Sequence, residues 1–278
     1  MMADPVFAHV VNLFSAPADS LTARAQEVTV RALRAAQEFA AGTLAVALHS
    51  AVFAEDRHLV PDFFGSVTVL HRSILDCTAD HNGRRLPLLA DILAGLRGDG
   101  RADYYVFTNA DISPQPFFYL ALARLVAQGY DGLIVTRRTV APTYRSSRQL
   151  PLMYADLGHE HPGSDCFVFK RELVDNFFLG RVAVGAEFVA LALRANLTAF
   201  ARNFGFFRDL HLTFHLGDDR PWLNHTADAR FNEREVDEIF RRLFADDRLV
   251  RPQALRSLYD DYLQRKKRLG DRIQEREK

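Results

Sequence analysis

Asn109-Ala110-Asp111 directly follows the apolar run Tyr104-Tyr105-Val106-Phe107. In open α/β sheets functional loops sit at the carboxyl ends of strands. If the chain stays extended, Asn109 and Asp111 point to the same side. Two oxygen donors placed so can hold a hard cation such as Mn²⁺ or Mg²⁺. The plainer alternative is a turn before Ser113-Pro114, capped by Asp111, with Asn109 bonding local backbone. His211 and His215 share one face of the alternating run Leu210–His215, and either could complete a metal shell. A partly buried, hydrogen-bonded histidine is the competing reading of each. Polar residues converge in His159-Glu160-His161-Pro162-Gly163-Ser164-Asp165, where Asp165 or His161 could orient a hydroxyl or act as a base. Pro162 excludes the helical zinc-protease pattern. Arg72, Arg84 and Arg85 suit phosphate or diphosphate oxygens. Glu187, after Val184-Gly185-Ala186, starts a helix either as an electrostatic cap or beside a pocket.

The elements that must position these residues alternate along the chain. Strands are expected at 7–14, 44–53, 66–71, 104–107, 132–136 and 165–169, with helices at 23–41, 87–96, 116–127 and 186–197. This order predicts an α/β sandwich with a mainly parallel sheet. Residues 140–164, with three prolines, read as a long connection suited to acceptor selection. Asn232 reads as a helix cap with Glu235 as its partner. Val236, Ile239, Phe240, Leu243 and Phe244 then form one apolar stripe, repeated after Pro252 by Leu255, Leu258, Tyr259, Tyr262 and Leu263. These stripes should pack on the main domain or on a second subunit. The expected organisation is one domain over 1–225 and a helical extension over 226–278.

Composition narrows the function. The chain has 278 residues with 35 basic and 35 acidic side chains, so the formal net charge is zero. That argues against a protein that coats DNA or RNA. Residues 241–278 nevertheless hold 12 basic and 7 acidic groups, which a solvated helix or a peripheral contact with an anionic membrane would explain. Cys77 and Cys166 are expected as two free thiols. The first residues lack the pattern of a secretory signal, and a cytoplasmic location is expected. The chain has no P-loop, no nucleophile elbow and no glycine-rich dinucleotide fingerprint.

Three blocks resemble a family of bacterial glycosyltransferase-like proteins with the GT-A fold. They are Tyr105-Val106-Phe107-Thr108-Asn109-Ala110-Asp111-Ile112, His161-Pro162-Gly163-Ser164-Asp165-Cys166-Phe167-Val168-Phe169, and Phe214-His215-Leu216-Gly217-Asp218-Asp219-Arg220. The resemblance implies a mostly parallel central sheet flanked by helices, a nucleotide-sugar donor and a hydroxyl acceptor. It implies a Mn²⁺ or Mg²⁺ ion bound where Asn109-Ala110-Asp111 replaces the usual Asp-x-Asp, with Asp111 the safer ligand. His215 resembles the late histidine that closes the metal site. Arg72, Arg84 and Arg85 would assist the diphosphate, and Asp165 or Glu187 would be the base. Asn109 in place of an acid keeps open a non-catalytic nucleotide- or sugar-binding protein. A sugar-phosphate nucleotidyltransferase fits less well, because the first loop, Phe14 to Ser20, has no glycine and no basic residue.

Overall fold

The computed structural model describes residues 4–98, 100–218 and 221–276. The chain divides into two compact units, one of residues 1–71, 91–174 and 203–219, the other of 72–90, 175–202 and 220–278. The strands are β1 (Phe7–Val11), β2 (Val46–Phe53), β3 (Ser66–Leu70), β4 (Tyr104–Thr108), β5 (Ser113–Pro114), β6 (Gly132–Val135), β7 (Arg138–Val140), β8 (His159–Glu160), β9 (Cys166–Lys170), β10 (Phe204–Phe207) and β11 (Thr213–Leu216). The helices are α1 (Leu21–Ala40), α2 (Leu89–Ala94), α3 (Phe118–Ala127), α4 (Leu150–Ala155), α5 (Val189–Phe200), α6 (Thr226–Phe244) and α7 (Pro252–Arg276).

In the first unit, described residues form a seven-stranded sheet in the order β10-β6-β9-β4-β1-β2-β3. Strands β1 and β4 are buried along their whole length, as central strands covered on both faces must be. The sheet is parallel except for β9, which pairs antiparallel with both β4 and β6. The cause lies in what precedes β9. Between β6 and β9 the chain makes β7, α4 and β8 instead of a crossover helix, so it re-enters the sheet at the edge where β6 ended. Cys166 accordingly pairs with Val135 and with Thr108. The carboxyl ends of β4 and β6 and the start of β9 therefore lie side by side.

Residues 140–164 are thus not one long irregular connection, as their prolines led us to expect. They contribute to a second sheet, β5-β11-β7-β8. The first half of α1 covers this sheet, with Ala25, Val28 and Ala32 packed in one cluster with Val140, Phe214 and Leu216. Its second half, with Leu33, Ala36 and Ala40, belongs to the core of the large sheet. Ser20 caps α1 by accepting from the Ala23 amide.

In the second unit α6 and α7 pack on each other and on α5. Phe240 stacks on Tyr262 at 5.5 Å, and the Val250 amide donates to the Ala199 carbonyl. The stripes expected on α6 and α7 are buried at Val236, Ile239, Phe240, Leu243, Leu255, Leu258 and Tyr262, while Leu263 and Phe244 face solvent. Asn232 does not cap α6. The helix begins at Thr226, and Asn232 is a fully buried interior residue whose side chain serves another segment. Both cysteines are free thiols. Among the described residues no helix is long and apolar enough to cross a membrane.

Candidate functional site

The residues after β4 do not stay extended. The Ile112 amide donates to the Asn109 carbonyl at 3.2 Å, closing a turn that buries Ala110 in the core. Asn109 and Asp111 are therefore not paired as alternate residues of a strand. Asp111 meets its partner through the second sheet. Ser113 of β5 pairs with Phe214 of antiparallel β11, which brings the turn just before β5 alongside the end of β11. Asp111 Oδ2 lies 3.1 Å from His215 Nε2.

His215 is buried, and its Nδ1 donates to the Gly217 carbonyl at 2.6 Å. This tautomer turns the Nε2 lone pair toward Asp111 whenever the ring is neutral. Gly217 has φ +77°, a conformation open to glycine, which sets its carbonyl under the imidazole. Burial lowers the His215 pKa, but the Asp111 carboxylate and its hydrogen bond outweigh burial and raise it. For Asp111, burial acts upward, but the charge and hydrogen bond of His215, with Arg137, hold the carboxyl below its usual value. His211 is not on the face of His215. It lies outside the strand at φ +49° and accepts from Gln115 Nε2 at 3.0 Å.

Beside this pair stands a residue that sequence reasoning missed. Arg137, two residues past β6, is buried, and its Nη1 lies 3.6 Å from Asp165 Oδ1. Its Nη2 donates to Asp218 Oδ1 at 3.2 Å. His161 spans the same two carboxylates, with Nδ1 3.6 Å from Asp165 and Nε2 3.6 Å from Asp218. The Gly163 amide donates to His161 Nδ1, which leaves the Nε2 proton facing Asp218. Asp111 Oδ1 and Asp165 Oδ2 are buried and have no hydrogen-bond partner among the described residues. Asp219 and Arg220 lie outside the described residues.

The remaining predicted residues belong to the second unit. Arg84 donates through Nε and Nη2 to Asp228, a fully buried carboxylate, and through Nη2 to the Gly185 carbonyl. Arg72 and Arg85 are exposed. Glu187 accepts from Arg272 Nη2 at 2.8 Å.

No family model and no curated protein sequence matches the chain. Solved structures do. Residues 1–349 of S. aureus TarS superpose with a TM-score of 0.50 at 12% identity, over 86% of this chain and 64% of that one. The chain has a GT-A fold. It thus spans about two thirds of the TarS fragment. Two other GT-A neighbours fall below that level of likeness. The mannosyltransferase PcManGT of Pyrobaculum calidifontis, solved with GDP-Man and Mn²⁺, gives a TM-score of 0.48 at 12% identity, over 89% and 66% of the two chains. M. tuberculosis glucosyl-3-phosphoglycerate synthase gives 0.46 at 16% identity, over 84% and 80%.

On this GT-A scaffold the carboxyl edge of the large sheet carries Asp111, Arg137 and Asp165 together, β11 adds His215, and the turn after it adds Asp218. Among the described residues no group of three or more His, Cys, Asp or Glu side chains is arranged to hold a metal. Asp111 and His215 fit a cation as a pair. One presents a buried oxygen with no hydrogen-bond partner among the described residues, and the other has an Nε2 whose orientation is fixed by its second nitrogen.

Proposed function

We propose that the protein transfers a glycosyl group from a nucleotide-sugar donor to a hydroxyl acceptor with the help of Mn²⁺ or Mg²⁺. The observation that carries this reading is the Asp111–His215 pair at the carboxyl edge of a GT-A sheet. Asp111 and His215 would hold the ion, and the turn that Asn109 opens takes it out of the pairing with Asp111 that an extended chain would give. A bound divalent ion supplies charge neutralisation for a departing diphosphate. Asp165 is the first candidate to take the acceptor proton, because Arg137 and His161 hold it at the same edge. His161 and Asp218 complete the polar wall. The sequence candidates Glu187, Arg72 and Arg85 belong to the second unit and are given no part beside Asp111, and Arg84 is committed to Asp228.

Calorimetry with UDP and GDP, with and without Mn²⁺, tests the donor site. Binding should require the metal, and Asp111→Asn should abolish that requirement together with the binding. Asp165→Asn should leave nucleotide binding intact while nucleoside diphosphate release from its sugar conjugate falls by about 10²–10⁴. Unchanged binding in the first variant and unchanged turnover in the second would overturn the assignment. A second reading, a non-catalytic nucleotide- or sugar-binding protein, is favoured by the two-residue ligand set and by Asn109. It predicts metal-dependent binding without turnover in the unaltered protein.

A further inference from the structure

Phe231, Arg234, Glu235, Glu238, Ile239 and Arg242 recur along α6 at the three- and four-residue spacing of one helix face. With the segment 177–181 and with Cys77 and Thr78 they line a cavity of about 780 Å³. Sites for small molecules have this size, and they combine apolar walls with a few placed polar groups. Every lining residue belongs to the second unit, and none takes part in the proposed transfer. The wall opposite α6 is fixed from behind by a buried amide. The Phe178 amide donates to Asn196 Oδ1 at 2.7 Å, and Asn196 Nδ2 donates back to the Phe178 carbonyl at 2.8 Å.

One guanidinium of this cavity is locked in place. The buried Glu235 accepts from the Arg181 amide through Oε2 at 2.7 Å, and from Arg181 Nε and Nη2 through Oε1 at 3.1 and 2.7 Å. A Cβ at Gly180, where φ is +54°, would stand 2.8 Å from Glu235 Oε2, so glycine lets the wall close on this carboxylate. The Arg181 guanidinium lies over the Phe231 ring, 5.8 Å from its centroid, and its Nη1 is left unspent by these bonds. Glu238 accepts from Arg242 Nε at 2.8 Å and also from Arg241. Both carboxylates of the lining are therefore engaged, whereas Arg234 is exposed and has no ion pair among the described residues. Three guanidinium groups against two carboxylates leave one positive charge in excess beside Phe177, Leu179, Phe231 and Ile239. A bare anion would leave those apolar walls wet, and a neutral hydrophobe would gain nothing from the arginine donors. We infer that this cavity binds a small organic anion, with a phosphate or carboxylate head on the arginines and an aromatic or branched apolar body against Phe231 and Ile239.

The test uses the full chain without divalent metal, phenyl phosphate as the probe and Cys77 as the reporter. The Cys77 thiol lines the cavity and is half-buried, while Cys166, the other cysteine, is fully buried. Saturating phenyl phosphate should slow the reaction of Cys77 with the neutral reagent 4,4′-dithiodipyridine by about tenfold or more, with the same Kd as calorimetry gives. Inorganic phosphate and phenol, which each keep one half of the probe, should bind about tenfold more weakly or worse. Arg234→Gln, at an exposed and unpaired position, should weaken phenyl phosphate by about tenfold. The double change Arg181→Met/Glu235→Met removes the locked guanidinium without stranding its carboxylate, and it should weaken binding by at least as much. If that double variant fails to fold, as circular dichroism would show, the Arg234→Gln result decides. An unprotected Cys77, equal affinity for inorganic phosphate and phenyl phosphate, or unchanged affinity in Arg234→Gln overturns the inference.

Discussion

His9 should make the first unit sensitive to mild acid. It lies in β1, fully buried, with Nδ1 2.8 Å from the Tyr119 hydroxyl and Nε2 2.9 Å from Thr108 Oγ1. Burial, and then the nearby His49, push its pKa from 6.5 down to about 3. The neutral ring is therefore favoured in the folded chain, while the unfolded chain takes up a proton below pH 6.5. Between those values the unfolded state binds more protons, so stability falls as the pH drops. At about pH 4.5 the gap of about two pH units amounts to about 3 kcal/mol, growing toward about 5 kcal/mol below pH 3. His9→Gln keeps a donor and an acceptor for the two hydroxyls but cannot titrate. Urea unfolding followed by circular dichroism, at pH 7.5 and 4.5, should show the natural protein losing about 2–3 kcal/mol more than the variant. The subtraction cancels the titrating groups that do not interact with His9. An equal acid loss in both proteins would show that His9 is not held neutral, and the hydrogen-bond assignment beneath Thr108 would fall with it.

Two further substitutions separate structural from ligand roles. Arg84→Met should destabilise the fold by about 3–5 kcal/mol, because it strands the fully buried Asp228 carboxylate. A loss below about 1 kcal/mol in urea unfolding, with weakened UDP binding, would return Arg84 to the donor site. Gly217→Ala should place a Cβ 2.7 Å from Leu21 Cδ2 at φ +77° and tilt the carbonyl that orients His215. Mn²⁺ affinity, measured by calorimetry with the metal alone, should fall about 10–100-fold, and an unaltered affinity would remove Gly217 from the site.

Legibility in the sequence followed the length scale of each signal. The apolar runs of β1 and β4 are local and continuous, and they announced central strands. Strand β9 carries the same kind of run, Cys166-Phe167-Val168-Phe169, yet its reversed direction depends on where β6 ended, which no residue of β9 encodes. The second sheet was hidden because β5 and β8 are two residues long, too short to show a period. Asn232 and Glu235 imitate a capping box, and only burial reveals that they serve Ala183, Glu187 and Arg181 instead. For the site, residue types at the strand ends named Asp111 and Asp165 and offered His211 and His215 alike as partners of Asp111, while spacing alone could not choose His215, 104 residues away. Arg137 left one usable trace. A permanent charge two residues past a buried strand needs acid partners, and Asp165 and Asp218 are those partners. The same reasoning applies to the C-terminal charge. Arg241 and Arg242 pair with Glu238, and Lys266 pairs with Glu233 and Asp237. Much of the excess that the sequence displays as a basic tail is therefore balanced within α6 and α7. Arg272, farther along α7, pairs in the same way with Glu187 of the same unit.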